Sequence, residues 1–168
     1  METIMRGKAW AFGDNINTES IMATGTDFDP AQAAKTCLAF YDPEFPEQVQ
    51  KGDFIVAGCN FANSSSRPAG RVLKYLGVSA VICESCARIF FRNTWNIGVP
   101  ILECPGITDL VKKGDEIEVD LDTGKIRNLT TGAEIQASKP IELLVDRWRA
   151  GGMIKWIQAN RDHYDTLE

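Results

Sequence analysis

Phe54-Ile55-Val56-Ala57, Ala80-Val81-Ile82 and Val99-Pro100-Ile101-Leu102 are three short apolar runs with a helix-period segment in each interval. The first run is continuous, not alternating, as expected of a strand buried on both faces. Pro68 to Leu76 places Ala69, Val72, Leu73 and Leu76 at helical spacing and closes on Gly77. Cys86 to Asn93 predicts a second helix. Strand, helix, strand, helix, strand at these spacings predicts two right-handed βαβ units on a parallel sheet. The expected fold class is α/β with a parallel βαβαβ core.

Upstream, Gly7 to Phe12 predicts a first strand and Asp14 to Glu19 a polar loop. Met22 to Asp29, with Gly25 inside it, shows neither period and predicts a mobile loop. Pro30 suits the first turn of a helix, with Ala31, Ala34, Cys37 and Leu38 on one face. A short helix is expected over Pro46 to Gln50, then a turn at Lys51-Gly52-Asp53. Downstream the period changes to two: Ile117, Val119 and Leu121 alternate with Glu116, Glu118 and Asp120. Asp122-Thr123-Gly124 turns this strand into Lys125 to Leu129, a β-hairpin, and Thr130-Thr131-Gly132 begins another turn. Pro140 opens a closing helix with Ile141, Leu144, Val145 and Trp148 on one face; Gly151-Gly152 stops it before a last helix over Met153 to Gln158. The 168 residues fit one domain, 1–168.

Composition narrows the function. The formal charge is −5, from 18 basic and 23 acidic residues, without a basic block, so neither nucleic acid nor an acidic membrane surface is an expected partner. No apolar run approaches the roughly 20 residues that span a bilayer. Met1 to Lys8 lacks the form of a secretory signal, and the cysteine count of 5 is odd. Both point to reduced thiols and a cytoplasmic location. Cys83-Glu84-Ser85-Cys86 is formally a CxxC, but it lacks a second ligand pair or a nearby His and reads as two small semi-buried thiols. The one histidine, His163, stands in the polar C-terminal tail, so this chain alone builds no His-based triad and no multi-His zinc site.

Gly58 to Pro68 joins the first buried strand to its helix, at the strand end where open α/β sheets place ligands. Ser64-Ser65-Ser66-Arg67 brings three hydroxyls and a guanidinium to that helix mouth, donors suited to a carboxylate or phosphate. One serine suffices for a plain helix cap, so four donors favour a site. The loop lacks the glycines of a nucleotide cradle. A serine without a histidine is a poor base unless nearby cations and amides stabilise its ionised form. Half the chemistry is missing, which suggests a partner. A second polar cluster, Glu84-Ser85 with Arg88, ends the next strand; Arg88 is read as an i,i+4 salt-bridge partner of Glu84, with anion binding as the alternative.

These residues resemble the small subunit of the aconitase-type hydro-lyases, above all of the 3-isopropylmalate dehydratase and homoaconitase kind. Matching segments run in order: Gly7 to Ile16, Gly52 to Gly58, Asn60-Phe61, Ser65-Ser66-Arg67, Glu84-Ser85, Ala87 to Asn93, Asn96 to Pro100, Leu121 to Gly124, Asn128 to Gly132 and Gly151-Gly152. The resemblance implies a swivelling β/β/α domain that closes over a [4Fe–4S] cluster held by a separate large subunit, with no cofactor on this chain. It also implies a small hydroxy-acid substrate. Ser65 would be the catalytic base, and Ser66 and Arg67, with Ser64 beside them, would bind substrate carboxylate.

The chain departs from that pattern in three places. Ala62-Asn63-Ser64 and Pro68-Ala69 stand where relatives are glycine-rich and then Glu-His, and Asn17-Thr18-Glu19 stands for Asp-Thr-Asp. The segment that would select the substrate side chain, Met22, Ala23, Thr24, Gly25 and Thr26, lacks the Arg-Tyr-Leu of relatives; no arginine occurs between Arg6 and Arg67. Isopropylmalate is therefore the default substrate, a 2,3-dimethylmalate-type acid the alternative, and a non-catalytic anion-binding regulatory domain a third reading.

Overall fold

The computed structural model describes residues 3–23, 27–64 and 67–161. Its centre is the βαβαβ unit: β2 (Phe54–Ala57), α4 (Gly70–Leu76), β3 (Ala80–Cys83), α5 (Arg88–Asn96) and β4 (Ile101–Glu103). β2 and β3 are buried at every residue and run parallel, Phe54 opposite Ala80 and Ala57 opposite Cys83. Gly77, at φ 79°, ends α4 and donates to the carbonyls of Leu73 and Lys74, as its left-handed conformation allows.

Element starts differ from expectation where tertiary contacts claim the backbone. α5 begins at Arg88 because the Cys86 amide donates to Glu103 Oε1 (3.0 Å) and the Ala87 amide to the Phe61 carbonyl (3.0 Å). β4 begins at Ile101 because the Val99 amide closes α5 on the Thr94 carbonyl (3.1 Å) and Pro100 has no amide hydrogen to give.

β1 (Ile4–Ala11) lies mid-sheet. Ala9 to Ala11 pair parallel with β2, whereas Ile4 to Lys8 pair antiparallel with β5 (Glu116–Asp120). Its half-exposed first residues were invisible to an apolar count, so the strand starts earlier than Gly7. β5 continues into β6 (Lys125–Asn128), the expected hairpin, and on to β7 (Glu134–Gln136). The described residues form a seven-stranded sheet in the order β4-β3-β2-β1-β5-β6-β7. Gly7 lies where β1 crosses the 51–53 turn: a Cβ there would run into the Gly52 carbonyl oxygen.

The long β1–β2 connection carries α1 (Thr18–Ile21), α2 (Pro30–Ala34) and α3 (Phe45–Gln48). Asp14 to Glu19 is thus not a loop throughout: Asn17 caps α1 by accepting from the Ser20 amide (2.8 Å). Met22 is a second correction. Its amide closes α1 on Thr18 (2.9 Å) and its side chain is fully buried in the core. Thr24, Gly25 and Thr26 lie outside the described residues. α6 (Ile107–Leu110) follows β4, and α7 (Glu142–Arg149) and α8 (Met153–Ala159) end the fold. Val145 is buried, but Ile141, at the cap of α7, is 62% exposed and leaves the expected apolar face.

Candidate functional site

The loop leaving β2 starts on a steric demand. Asp14 Oδ1 accepts from the Cys59 amide (2.6 Å) and sits where a Cβ on Gly58 would be, so any other residue there would push the Asp14 carboxylate out of this hydrogen bond. Asn60, Ala62 and Ser64 then adopt left-handed φ values of 58°, 54° and 64°. Such angles are costly without glycine and persist only where contacts enforce them. The contacts are present. The Asn60 amide donates to Ser85 Oγ (3.0 Å), Asn60 Nδ2 to Asn15 Oδ1 (3.0 Å), and the Asn63 amide to the Ile16 carbonyl (3.0 Å). Ser85 therefore belongs to the scaffold of the loop.

Ser64 is held from the other side. Its Oγ lies 2.7 Å from Thr18 Oγ1 and donates to Glu19 Oε2 at 3.0 Å. Thr18 is itself 1% exposed, and its amide donates to the Asn63 carbonyl (3.0 Å). The guanidinium of Arg67 lies over the Phe28 ring, 5.3 Å from its centroid. Ser65 and Ser66 lie outside the described residues, between these two anchored neighbours in the chain. Ser64 and Arg67 line one cavity of about 270 Å³, whose wall also includes Ile89 and Phe90 of α5 and Ile97 at its C-cap. Of the expected selecting segment, Met22 is core and Ala23 half-buried. Thr18, Glu19 and Phe28 escaped the sequence reading. The only signal for Thr18 and Glu19 was the position of Asn17-Thr18-Glu19 in the resemblance, and Phe28 had none.

Glu84 is structural, but not through Arg88. Its carboxylate accepts from the amides of Gly106 (2.7 Å) and Thr108 (3.2 Å) and from Thr108 Oγ1 (2.8 Å), fixing the turn into α6. Glu84 precedes α5, so no helical turn brings Arg88 to it. Burial alone would raise the Glu84 carboxyl; the Gly106 and Thr108 hydrogen bonds outweigh it and hold the group below its ordinary 4.5. A depressed carboxyl stabilises the fold above the unfolded value, and this contribution is lost as pH falls through the folded value. The melting-temperature gap between wild type and Glu84→Gln should therefore narrow as the pH is lowered below about 4.5. A gap constant from neutral pH to about pH 3 would contradict this assignment.

Three of the five cysteines, Cys37, Cys83 and Cys104, disfavour the form an iron–sulfur cluster needs. Burial pushes the Cys104 thiol up to about 11, with Glu84 adding to it. Burial also raises Cys37, and Cys83 is raised by its hydrogen bond with Cys86 and by burial. Cluster ligands are thiolates, the form these sites disfavour. Among the described residues no group of three or more His, Cys, Asp or Glu side chains is arranged to hold a metal.

Residues 2–105 match the family described as the aconitase C-terminal domain. The chain belongs to that family. It is 42% identical over 163 residues to the isopropylmalate/citramalate isomerase small subunit of Methanocaldococcus jannaschii, covering 94% of this chain and 96% of that one. It is 46% identical to the 3-isopropylmalate dehydratase small subunit of Aquifex aeolicus, covering 93% and 95% respectively. The crystal structure of 3-isopropylmalate dehydratase from M. jannaschii superposes with a TM-score of 0.87 at 35% identity, over 98% of this chain and 99% of that one. This agreement extends over both halves of the sheet. The swivelling α/β domain with its parallel core and added hairpins, expected from the sequence, is the aconitase-family architecture seen in that structure.

Proposed function

We propose that this aconitase-family chain is the small subunit of a heteromeric hydro-lyase acting on a hydroxy-dicarboxylic acid, 3-isopropylmalate first. The observation that carries the proposal is the anchoring of Ser64 and Arg67 on one cavity at the exit of a parallel strand, and Ser65 and Ser66 stand between them in the sequence. The relatives' names supply the reaction class and the word "subunit".

In this reading a [4Fe–4S] cluster on the large subunit supplies, when bound, a Lewis acid for the departing hydroxyl. This chain supplies the rest. Ser65 takes the carbon-bound proton, and Ser66 and Arg67 bind a carboxylate, Arg67 through its planar fork. Ser64, whose hydroxyl is engaged by Thr18 and Glu19, acts on substrate by fixing the loop that carries Ser65. Ala23, Thr24, Gly25 and Thr26 border the substrate's side group, with Met22 as their core anchor. The thiols of all five cysteines are free, which supports a reducing, cytoplasmic setting. Among the described residues no helix is long and apolar enough to cross a membrane.

The absence of an arginine between Arg6 and Arg67 favours an uncharged branch on the substrate. A 2,3-dimethylmalate-type acid is the second reading on that ground, and the M. jannaschii relative's name couples isopropylmalate with citramalate. The test is to reconstitute the chain with its large subunit and compare kcat/KM across hydroxy-diacids differing in that branch. The highest value is expected for 3-isopropylmalate. Equal rates with every diacid, or none with any, would overturn the assignment.

A further inference from the structure

Arg71, on the first turn of α4, lines the same cavity as Arg67. It forms no ion pair with any described residue. The cavity thus has two guanidinium-bearing residues on its wall, four positions apart, together with the apolar side chains of Ile89, Phe90 and Ile97. Thr94 also lines it: that residue is 1% exposed, and its Oγ1 is buried with no hydrogen-bond partner among the described residues. A buried hydroxyl without a partner is costly and marks a place where a polar ligand atom or water completes the site. Two cations, an orphan hydroxyl and an apolar wall match a branched dicarboxylate in chemistry and in size.

A diacid closed away from water needs a cationic partner for each carboxylate. Arg67 serves one. The segment 22–26 offers none, and Arg6 is spent on Glu118, at 2.6 Å, in the β1–β5 pair. We propose that Arg71 holds the second carboxylate of the substrate, with Thr94 as a hydrogen-bond partner within the pocket and Ile89 and Ile97 against the branch. The inference rests on the function proposed above and deepens it. Selectivity would then reside in the α4–α5 cavity, not only in the segment after α1.

The test uses the complete enzyme, this chain with its large subunit, in wild-type, Arg71→Gln and Arg71→Lys forms. Arg71→Gln should raise KM for 3-isopropylmalate by about 10- to 100-fold while kcat changes by less than about threefold, the pattern of a lost ground-state ligand. Arg71→Lys should recover part of that loss. The decisive readout is inhibition by a pair of analogues, each with a different one of the two carboxylates replaced by hydrogen, of which the one lacking the carboxylate that Arg71 holds is the diagnostic mono-acid. Its affinity should be the same in wild type and Arg71→Gln, because that analogue has no charge at Arg71 to lose. Unchanged KM for the diacid, or an equal loss for the diacid and both mono-acids, would overturn the role of Arg71 while leaving the hydro-lyase reading in place. A wild-type complex that turns over no hydroxy-diacid would overturn both.

Discussion

In the complex with the large subunit, Ser65→Ala should lower kcat by at least about 100-fold, the usual scale for a positioned base, with KM nearly unchanged. The reason is where the interaction is made. A hydroxyl that accepts the carbon-bound proton matters in the transition state and contributes little to holding the ground state. Ser65→Cys restores an ionisable group at that position and should regain part of the rate with a changed pH profile. The anchors at Ser64 and Arg67 are untouched by these changes, so assembly should survive, and gel filtration of the variant complex checks it. A near-normal kcat in Ser65→Ala would remove that serine as the base and favour a non-catalytic anion-binding role for the loop.

Arg67→Lys should act mainly on KM, raising it by about 10-fold or more. Lysine keeps the charge but loses the planar fork, and its ammonium replaces the guanidinium that lies 5.3 Å from the Phe28 ring centroid. A carboxylate held by one flexible ammonium is also less well oriented, so a fall in kcat of about 10-fold is expected beside the change in KM. Steady-state kinetics of the two variants should therefore separate: Ser65→Ala in kcat alone, Arg67→Lys chiefly in KM. Identical kinetic defects in both would show that the loop had collapsed as a unit and that neither residue has the separate role assigned to it.

The parts of the fold that were legible are those whose pattern is decided locally. β2 and β3 read correctly because a fully buried strand must be apolar at every position, as Phe54–Ala57 and Ala80–Cys83 are. The β5–β6 hairpin read correctly because one face is buried, giving period two. α1, α6 and β7 did not, since elements of three or four residues are too short to show any period. α1 depends on the Asn17 cap, the turn into α6 on Glu84, and β7 on ion pairs such as Lys125 with Glu134 at 2.7 Å. The anion-binding role proposed for residues 64–67 rests on the sequence, where four donors at a strand exit exceed what a helix cap needs. The support beneath them was not legible, since Thr18 and Glu19 reach Ser64 across some 45 residues of chain. The Glu84–Arg88 pairing failed for a related reason: spacing of four counts only inside a helix, and α5 starts at Arg88.

The central claim is that this chain carries one half of an active site. It is tested most directly by measuring turnover of 3-isopropylmalate with the purified chain alone, the cluster-loaded large subunit alone, and mixtures of the two. Neither component should turn over substrate by itself, and activity should rise with added chain and saturate at a fixed ratio of the two. Turnover by the chain alone at an enzyme-like rate of about 1 s⁻¹ or more would contradict it.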